Sequence, residues 1–229
     1  NLTTCTLYDA STDLPLQSYA FGKLVSTKTW HPADGTTQSG TLASITDGNN
    51  HTTTLSSWHR GLPQSIGYAD GKSQSAVVND AGWITSATDE NGYTTSYQYD
   101  AMGRVKEIDY PTGDDVAWNA TKLSFAPYTA GSEYGIPAGH WKQTITTGMG
   151  TTATYFDALW RPLVTESYDA TDSTTKAATL SQTVKRYDAG GRTIFATYPL
   201  SNASLNYATY NTGTHTSYDA LNRVTKVDQ

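Results

Sequence analysis

The chain has 229 residues and a formal net charge of −6, with 15 basic and 21 acidic residues. The basic residues are scattered, which argues against a nucleic-acid partner because phosphate binding needs clustered positive charge. No apolar run approaches the roughly 20 residues of a membrane-spanning helix, and the single cysteine, Cys5, excludes an internal disulfide.

Residues 1–40 are predicted to be N-terminal strands with weak repeat character. Their one link to the rest of the chain is Tyr8-Asp9-Ala10, a short phrase that recurs later. The sequence begins with Asn1 and shows no signal peptide, which predicts a mature product or a piece of a longer protein. Residues 41–229 are predicted to be one repeat array.

A longer phrase recurs through this array. It consists of an aromatic residue, Asp, Ala and, four residues after the Asp, an Arg. Four copies are present, at 99–105, 156–162, 187–193 and 218–224, and a weaker copy lies at 79–84. Self-similarity of this kind indicates a repeat protein in which each unit packs on its neighbours.

Each copy predicts a strand, a tight turn and a second strand. Thr95, Tyr97 and Tyr99 alternate, as residues on one face of a strand do, and β-formers return after Arg104. The Asp can accept a hydrogen bond from the backbone amide two residues on, and three residues after it Gly or Asn tolerates positive φ. Trp160 occupies that third position in one copy, which predicts a different turn there.

The remaining segments also favour β structure. No stretch shows a sustained helical period, and Thr, Ser and Gly are dense. Residues 101–156 are predicted to hold degenerate hairpins that lack the motif, and residues 171–176 to form an inserted polar loop. The predicted fold is therefore all-β, built of tandem antiparallel β-hairpins.

The phrase Tyr-Asp-x-x-Gly-Arg, with a period of 20-odd residues, resembles the YD repeat of RHS proteins. Residues 89–104 match that unit best, and the likeness extends over residues 40–229. The resemblance implies a curved, spiralling sheet that forms part of a hollow shell. In bacterial RHS and insecticidal-complex toxins such a shell encloses a toxic segment, and in teneurins a similar shell supports adhesion.

The resemblance also implies partners and a location. The partners would be the remaining RHS-repeat segments of the shell and a toxin cargo, and the protein would be secreted or on the surface of a bacterium. An extracellular adhesion or carbohydrate-binding module is the alternative function.

The Asp–Arg pairs of the repeat have two interpretations. They are carboxylates and cations for catalysis or binding, or they are scaffolding in which Asp caps a turn and Arg packs on a neighbouring tyrosine. Recurrence favours scaffolding, because an active site is rarely built four times. The residues to which we assign this structural role are Tyr99, Asp100, Gly103, Arg104, Phe156, Asp157, Arg161, Tyr187, Asp188, Gly191, Arg192, Tyr218, Asp219 and Arg223.

Metal and catalytic sites are not predicted. The acidic turns 47–50 and 89–92 lack the closing Glu of a calcium loop, and the five histidines have no metal-ligand spacing. Asp114 and Asp115 would point to opposite faces of a strand, which makes them a poor catalytic pair. We therefore expect no cofactor, no metal and no enzymatic activity.

Exposed aromatic residues are the best candidates for ligand binding. Six tryptophans are present, several near turns, and flat rings can stack on sugar faces. Trp83 and Trp160 are the candidate glycan contacts. The alternative interpretation is that tryptophan fills gaps between curved hairpins.

Overall fold

The structure is a computed structural model that describes residues 3–113 and 115–229. It divides into two compact units, Asn1–Trp118 and Asn119–Gln229. Both units consist of β-strands that pair antiparallel with the strands next to them in the chain, so the predicted all-β class and the tandem hairpins are confirmed. Among the described residues, no helix combines the length and hydrophobicity needed to cross a membrane.

Unit 1 is a ladder of ten strands. Each strand pairs with the next in sequence, and β3 pairs with β4 across the predicted boundary at residue 40. The strands are β1 (Thr4–Tyr8), β2 (Pro15–Ala20), β3 (Lys23–Trp30), β4 (Leu42–Asp47), β5 (Thr52–Ser56), β6 (Ser65–Gly67), β7 (Ser73–Val78), β8 (Ile84–Thr88), β9 (Thr94–Tyr99) and β10 (Val105–Asp109).

Unit 2 continues the same pattern with eight strands and one short helix. The elements are β11 (Thr121–Tyr128), β12 (His140–Thr147), β13 (Gly150–Phe156), β14 (Pro162–Asp169), α1 (Ser173–Thr179), β15 (Ser181–Tyr187), β16 (Thr193–Ala196), β17 (Thr214–Tyr218) and β18 (Val224–Asp228). Strands β11, β12 and β13 confirm the hairpins predicted without the motif.

The helix α1 was not predicted from the sequence. The loop prediction for residues 171–176 is wrong from residue 173 onward, because Asp172 acts as an N-cap. Its carboxylate accepts hydrogen bonds from the backbone N–H groups of Thr174 and Thr175, at 2.8 and 2.9 Å. This cap satisfies the free amides of the first turn, and Lys176 and the two alanines after it then favour helix.

The two units differ in how much apolar surface they bury. Among the described residues of unit 1, Val78 is the one hydrophobic side chain that is buried. Unit 2 has a core, to which β13–β16 contribute buried residues and to which the irregular segments 129–139 and 197–213 add Ile136 and Leu205. The buried members are Ile136, Ala153, Tyr155, Leu163, Val164, Val184, Phe195 and Leu205.

Candidate functional site

The recurring feature of the molecule is a five-residue turn that in most copies begins at an Asp. At Asp100 the backbone N–H donates to the carbonyl of Arg104 (2.9 Å), and Gly103 N–H donates to the carbonyl of Asp100 (3.0 Å). The Asp100 carboxylate accepts from the N–H groups of Met102 and Arg104, at 2.9 and 3.0 Å. The same two backbone bonds close the turns that begin at Asp47, Tyr68, Asn79, Asp89, Asp157, Asp188 and Asp219.

The third residue after the Asp has positive φ in every copy of the motif. The angles are 79° at Gly103, 82° at Gly191 and 63° at Asn222. Trp160 adopts 63° as well and closes the same hydrogen bonds, so the prediction of a different turn there is wrong. Its ring packs 5.0 Å from Trp141 and 5.3 Å from Phe125, centroid to centroid, and this contact offsets the unfavourable backbone conformation.

The Arg of each copy first contacts its own turn. The guanidinium Nε donates to the Asp carboxylate at 2.7 Å in the Arg104 and Arg161 turns, 2.6 Å in the Arg192 turn and 2.8 Å in the Arg223 turn. One carboxylate oxygen of the Asp therefore accepts the backbone hydrogen bonds of the turn, and the other oxygen accepts the bond from the Arg guanidinium. This arrangement fixes the direction in which the rest of the guanidinium points.

That direction is toward the next hairpin. Arg161 lies over the ring of Tyr187 at 4.9 Å, and its Nη1 donates to the backbone carbonyl of Asp188 at 3.1 Å. In return the hydroxyl of Tyr187 donates to the carbonyl of Pro162 at 3.0 Å. One Tyr-Asp copy is thus joined to the previous copy by a cation–π contact and two hydrogen bonds.

The next junction repeats the same three contacts. Arg192 lies over Tyr218 at 4.9 Å and donates to the carbonyl of Asp219 at 3.1 Å, and the hydroxyl of Tyr218 donates to the carbonyl of Thr193 at 3.0 Å. Arg192 also donates to the side-chain oxygen of Asn222 at 2.8 Å. The arrangement is therefore a repeated junction and not a single site.

A variant of this junction in unit 1 uses Trp83 in place of the Arg. The ring of Trp83 packs on Tyr99 with centroids 5.1 Å apart, and the hydroxyl of Tyr99 donates to the carbonyl of Ile84 at 2.6 Å. The sequence carries the signal for this contact, because Trp83 lies four residues after Asn79 as Arg104 lies four after Asp100.

Residues 78–115, which include the turns at Asn79, Asp89 and Asp100, match the family model described as RHS Repeat. The chain carries an RHS repeat. The matched region contains the predicted best copy of the motif and the Trp83–Tyr99 junction, so the resemblance to the RHS/YD-repeat family is confirmed. No curated protein matches the sequence.

Several solved structures of toxin complexes are similar to the chain at low identity. The Tc holotoxin pore of Photorhabdus luminescens is 12% identical over 97% of this chain and 15% of its own, with a TM-score of 0.43. A TcdB2–TccC3 structure is 15% identical over 96% of this chain and 12% of its own, with a TM-score of 0.49. This chain thus spans less than a sixth of the length of these proteins.

The acidic turns considered as calcium loops use their carboxylates internally. Asp47 accepts from the N–H groups of Asn49 and His51, and Asp89 accepts from those of Asn91 and Tyr93. Asp114, one of the two adjacent carboxylates, lies outside the described residues. Within the described part of the chain, no group of three or more His, Cys, Asp or Glu side chains is placed to hold a metal.

The two candidate glycan contacts lie in different surroundings. Trp83 is half-buried between Tyr99 and Gly103, so its ring already has neighbours within the repeat. Trp160 is 52% exposed and belongs to a cluster with Phe125, Trp141 and Phe156. Of the two, Trp160 offers the more accessible ring.

Sequence reasoning missed a buried polar cluster in unit 2. Glu166 is 3% exposed, and its carboxylate accepts hydrogen bonds from the hydroxyls of Tyr134 and Tyr155. Close by, Glu133 pairs with Lys142 at 2.7 Å and lies 3.4 Å from His140. These residues come from separate strands and a connecting segment, and no motif in the sequence marks them.

Replacing Gly103 by Ala should destabilise the RHS repeat more than the same change at Gly191. Both glycines have positive φ, so each variant should lose about 1–2 kcal/mol from the backbone alone. A Cβ on Gly103 would also lie 2.7 Å from the Trp83 ring, whereas one on Gly191 would meet nothing within 4 Å. We expect a further loss of about 1–3 kcal/mol for Gly103→Ala in urea unfolding, and equal losses would contradict the Trp83 contact.

The repeat turns also predict acid sensitivity. Hydrogen bonds from the backbone N–H of Arg192 and then from its guanidinium lower the pKa of Asp188. A carboxyl group with a lower pKa in the folded protein contributes stability above its unfolded pKa of about 3.9, and that stability is lost as the pH falls through the folded value. Urea midpoints should therefore decline below about pH 4.

Asp188→Asn provides the matched control for this acid sensitivity. Asn79 shows that an amide oxygen can accept the same turn hydrogen bonds, here from Ala81 and Trp83 at 3.0 Å each. The variant should keep the turn but show a shallower decline of stability in acid. An unchanged decline would mean that other carboxylates are responsible.

Proposed function

We propose that the chain is a structural wall segment of an RHS/YD-repeat shell that encloses or delivers a toxin cargo in a secreted or cell-surface bacterial assembly. The observation that supports this role is the repeated junction, in which Arg161 and Arg192 join successive hairpins through the same contacts. A wall of this kind grows by adding hairpins sideways, and each added hairpin needs no separate core.

The distribution of buried residues supports a wall as well. In unit 1 the described strands bury a single hydrophobic side chain, Val78, so the sheet is held by its ladder and its turn contacts. Such a sheet separates two spaces, and a cargo on one side would be kept from solvent on the other. In this proposal the chain acts by exclusion and has no enzymatic activity of its own.

Native mass spectrometry of protein purified without denaturant from its natural source tests this role. The shell proposal predicts a mass well above 24.7 kDa that includes further repeat segments or a separate toxic polypeptide. A particle that contains this sequence alone would contradict it. Limited proteolysis of the assembly then shows whether the second polypeptide is protected until the wall is cut.

A second candidate function, carbohydrate binding, is favoured by the exposed ring of Trp160. The ring packs against Trp141 and Phe125, and Trp160 is nevertheless 52% exposed, so part of its surface is accessible to a ligand. Trp160→Asn keeps a residue suited to the turn, as Asn222 shows, and removes the ring. Binding on a glycan array that is lost in this variant but kept in Trp118→Ala would support the candidate, and no binding by the unaltered chain would exclude it.

A further inference from the structure

Segment 129–139 packs on the core of unit 2 and is attached to the sheet by polar side chains. Glu133 accepts a hydrogen bond from Nζ of Lys142 on β12 at 2.7 Å, and the hydroxyl of Tyr134 donates to Glu166 on β14. Three residues after Glu133, Ile136 enters the core, where it is 3% exposed. The segment therefore covers part of the core, and Glu133 is one of its points of attachment.

His140 begins β12, and one nitrogen of its ring has a fixed role. Nδ1 lies 2.8 Å from the carbonyl oxygen of Pro137, and a carbonyl can only accept, so Nδ1 carries a hydrogen in either charge state. The other nitrogen, Nε2, lies 3.4 Å from Oε2 of Glu133. Within the part of the chain that the structure describes, both of these atoms are buried and neither has a hydrogen-bond partner. The charge of His140 therefore decides how the ring and the carboxylate interact.

The neutral form of His140 does not suit this arrangement. Its Nε2 would present a lone pair to Oε2 of Glu133, so two buried acceptors would face each other without a donor. A proton on Nε2 converts the contact into an ion pair, and a movement of about 0.5 Å brings the two atoms to the length of a charge-assisted hydrogen bond. The side chain of His140 is 4% exposed, so bulk water has little access to it.

Two tyrosines from other strands also face the imidazole. The rings of Tyr128 on β11 and Tyr155 on β13 lie 5.5 and 5.7 Å from that of His140, centroid to centroid. Nζ of Lys142 lies over the same two rings, at 5.1 and 4.7 Å, so this aromatic environment already accepts a cation. Both tyrosines are neutral below about pH 10 and add no charge of their own.

The charged groups of the cluster also favour a protonated ring. Lys142 carries one positive charge, and Glu133 carries one negative charge. Glu166, which is 3% exposed, adds a second negative charge, because each of its oxygens accepts a hydrogen bond from a tyrosine hydroxyl. With a protonated His140 the four side chains have no net charge. A neutral His140 leaves one uncompensated negative charge in a buried place, which is unfavourable.

We propose that His140, Glu133 and Lys142 form a proton-controlled latch for segment 129–139. With the proton on Nε2, both cations hold Glu133 and the segment stays on the core. Without the proton, Nε2 and Oε2 repel each other and the segment loosens beside Ile136. A histidine changes its charge between about pH 5 and 8. Because the folded protein holds this proton more tightly than the unfolded chain, the stability that the latch contributes is present at lower pH and is lost as the pH rises.

Hydrogen exchange across a pH series tests the latch in the intact chain. The N–H groups of Ile136 and Gly139 donate to the carbonyls of Glu133 and Tyr128, at 2.8 and 2.6 Å, and report on the segment. After correction for the chemical exchange step, their protection should fall by about tenfold between about pH 6 and pH 9, while that of β13 stays constant. Imidazole ¹⁵N shifts of His140 at about pH 7.5 should show two N–H groups in the folded protein and one in urea.

Two variants provide matched controls. In His140→Gln the new amide can donate to Glu133 at any pH, and in Glu133→Gln it can donate to the neutral imidazole, so each should remove the pH dependence of protection. Either variant suffices if the other does not fold. Protection that is independent of pH in the unaltered chain, a fall that persists in both variants, or a folded-state imidazole with one N–H at about pH 7.5 would each overturn the latch.

Discussion

Replacing Phe195 by Ala should destabilise unit 2 by about 3–5 kcal/mol, the usual effect of removing a large aromatic ring from a core. Phe195 is 1% exposed, packs beside His215 at 4.7 Å between ring centroids, and supports the guanidinium of Arg186 at 3.9 Å. Far-UV circular dichroism during urea titration measures the change. Phe21→Ala is the matched control, since Phe21 is 81% exposed and its loss should alter stability by less than about 0.5 kcal/mol.

The effect of Phe195→Ala should extend to segment 197–213. From its position over the Phe195 ring, Arg186 donates to the backbone carbonyls of Ala208 and Tyr210, at 3.0 and 2.8 Å. Without the ring beneath it, the guanidinium loses a fixed position, and hydrogen exchange in this segment should become faster. Unchanged exchange there would mean that Leu205 and the backbone bonds hold the segment without Arg186.

The parts of the fold that could be predicted from the sequence are those set by local chemistry. Asp100 and Gly103 specify a turn within five residues, and the alternation before Tyr99 specifies a strand, so copies of the phrase predict hairpins wherever they occur. The register between hairpins was not predictable in this way. It depends on Arg161 reaching Tyr187, which lies 26 residues further along the chain.

The error at Trp160 also comes from contacts between residues far apart in the sequence. Trp160 accepts a conformation suited to Gly because Trp141 and Phe125, from two other strands, pack on its ring. A single-sequence rule for positive φ cannot include that contact. The helix α1 was missed for a local reason instead, since Asp172 was interpreted as part of a polar loop although it is a suitable N-cap.

Replacing Glu166 by Leu should destabilise unit 2 by about 2–4 kcal/mol, because it leaves buried hydroxyl groups without an acceptor. Tyr155 is 1% exposed and donates to Glu166 at 2.6 Å, and burial followed by this hydrogen bond raises the pKa of Tyr155. Tyr134, which donates to the other carboxylate oxygen, also has a raised pKa, for which burial is the first cause.

A double-mutant cycle identifies the contribution of the Tyr155–Glu166 pair. Tyr155→Phe removes the hydroxyl and keeps the ring, so adding it to Glu166→Leu removes both partners of the hydrogen bond. The double variant should then lose less stability than the sum of the two single variants, with a coupling of about 1–2 kcal/mol in urea unfolding. Strict additivity would mean that the stabilising effect of the Tyr155 hydroxyl does not depend on Glu166.

The raised pKa of Tyr155 also predicts a pH dependence. A tyrosine whose pKa is raised in the folded protein contributes stability that is lost as the pH rises above about 10, so Tyr155→Phe should weaken the alkaline decline of stability.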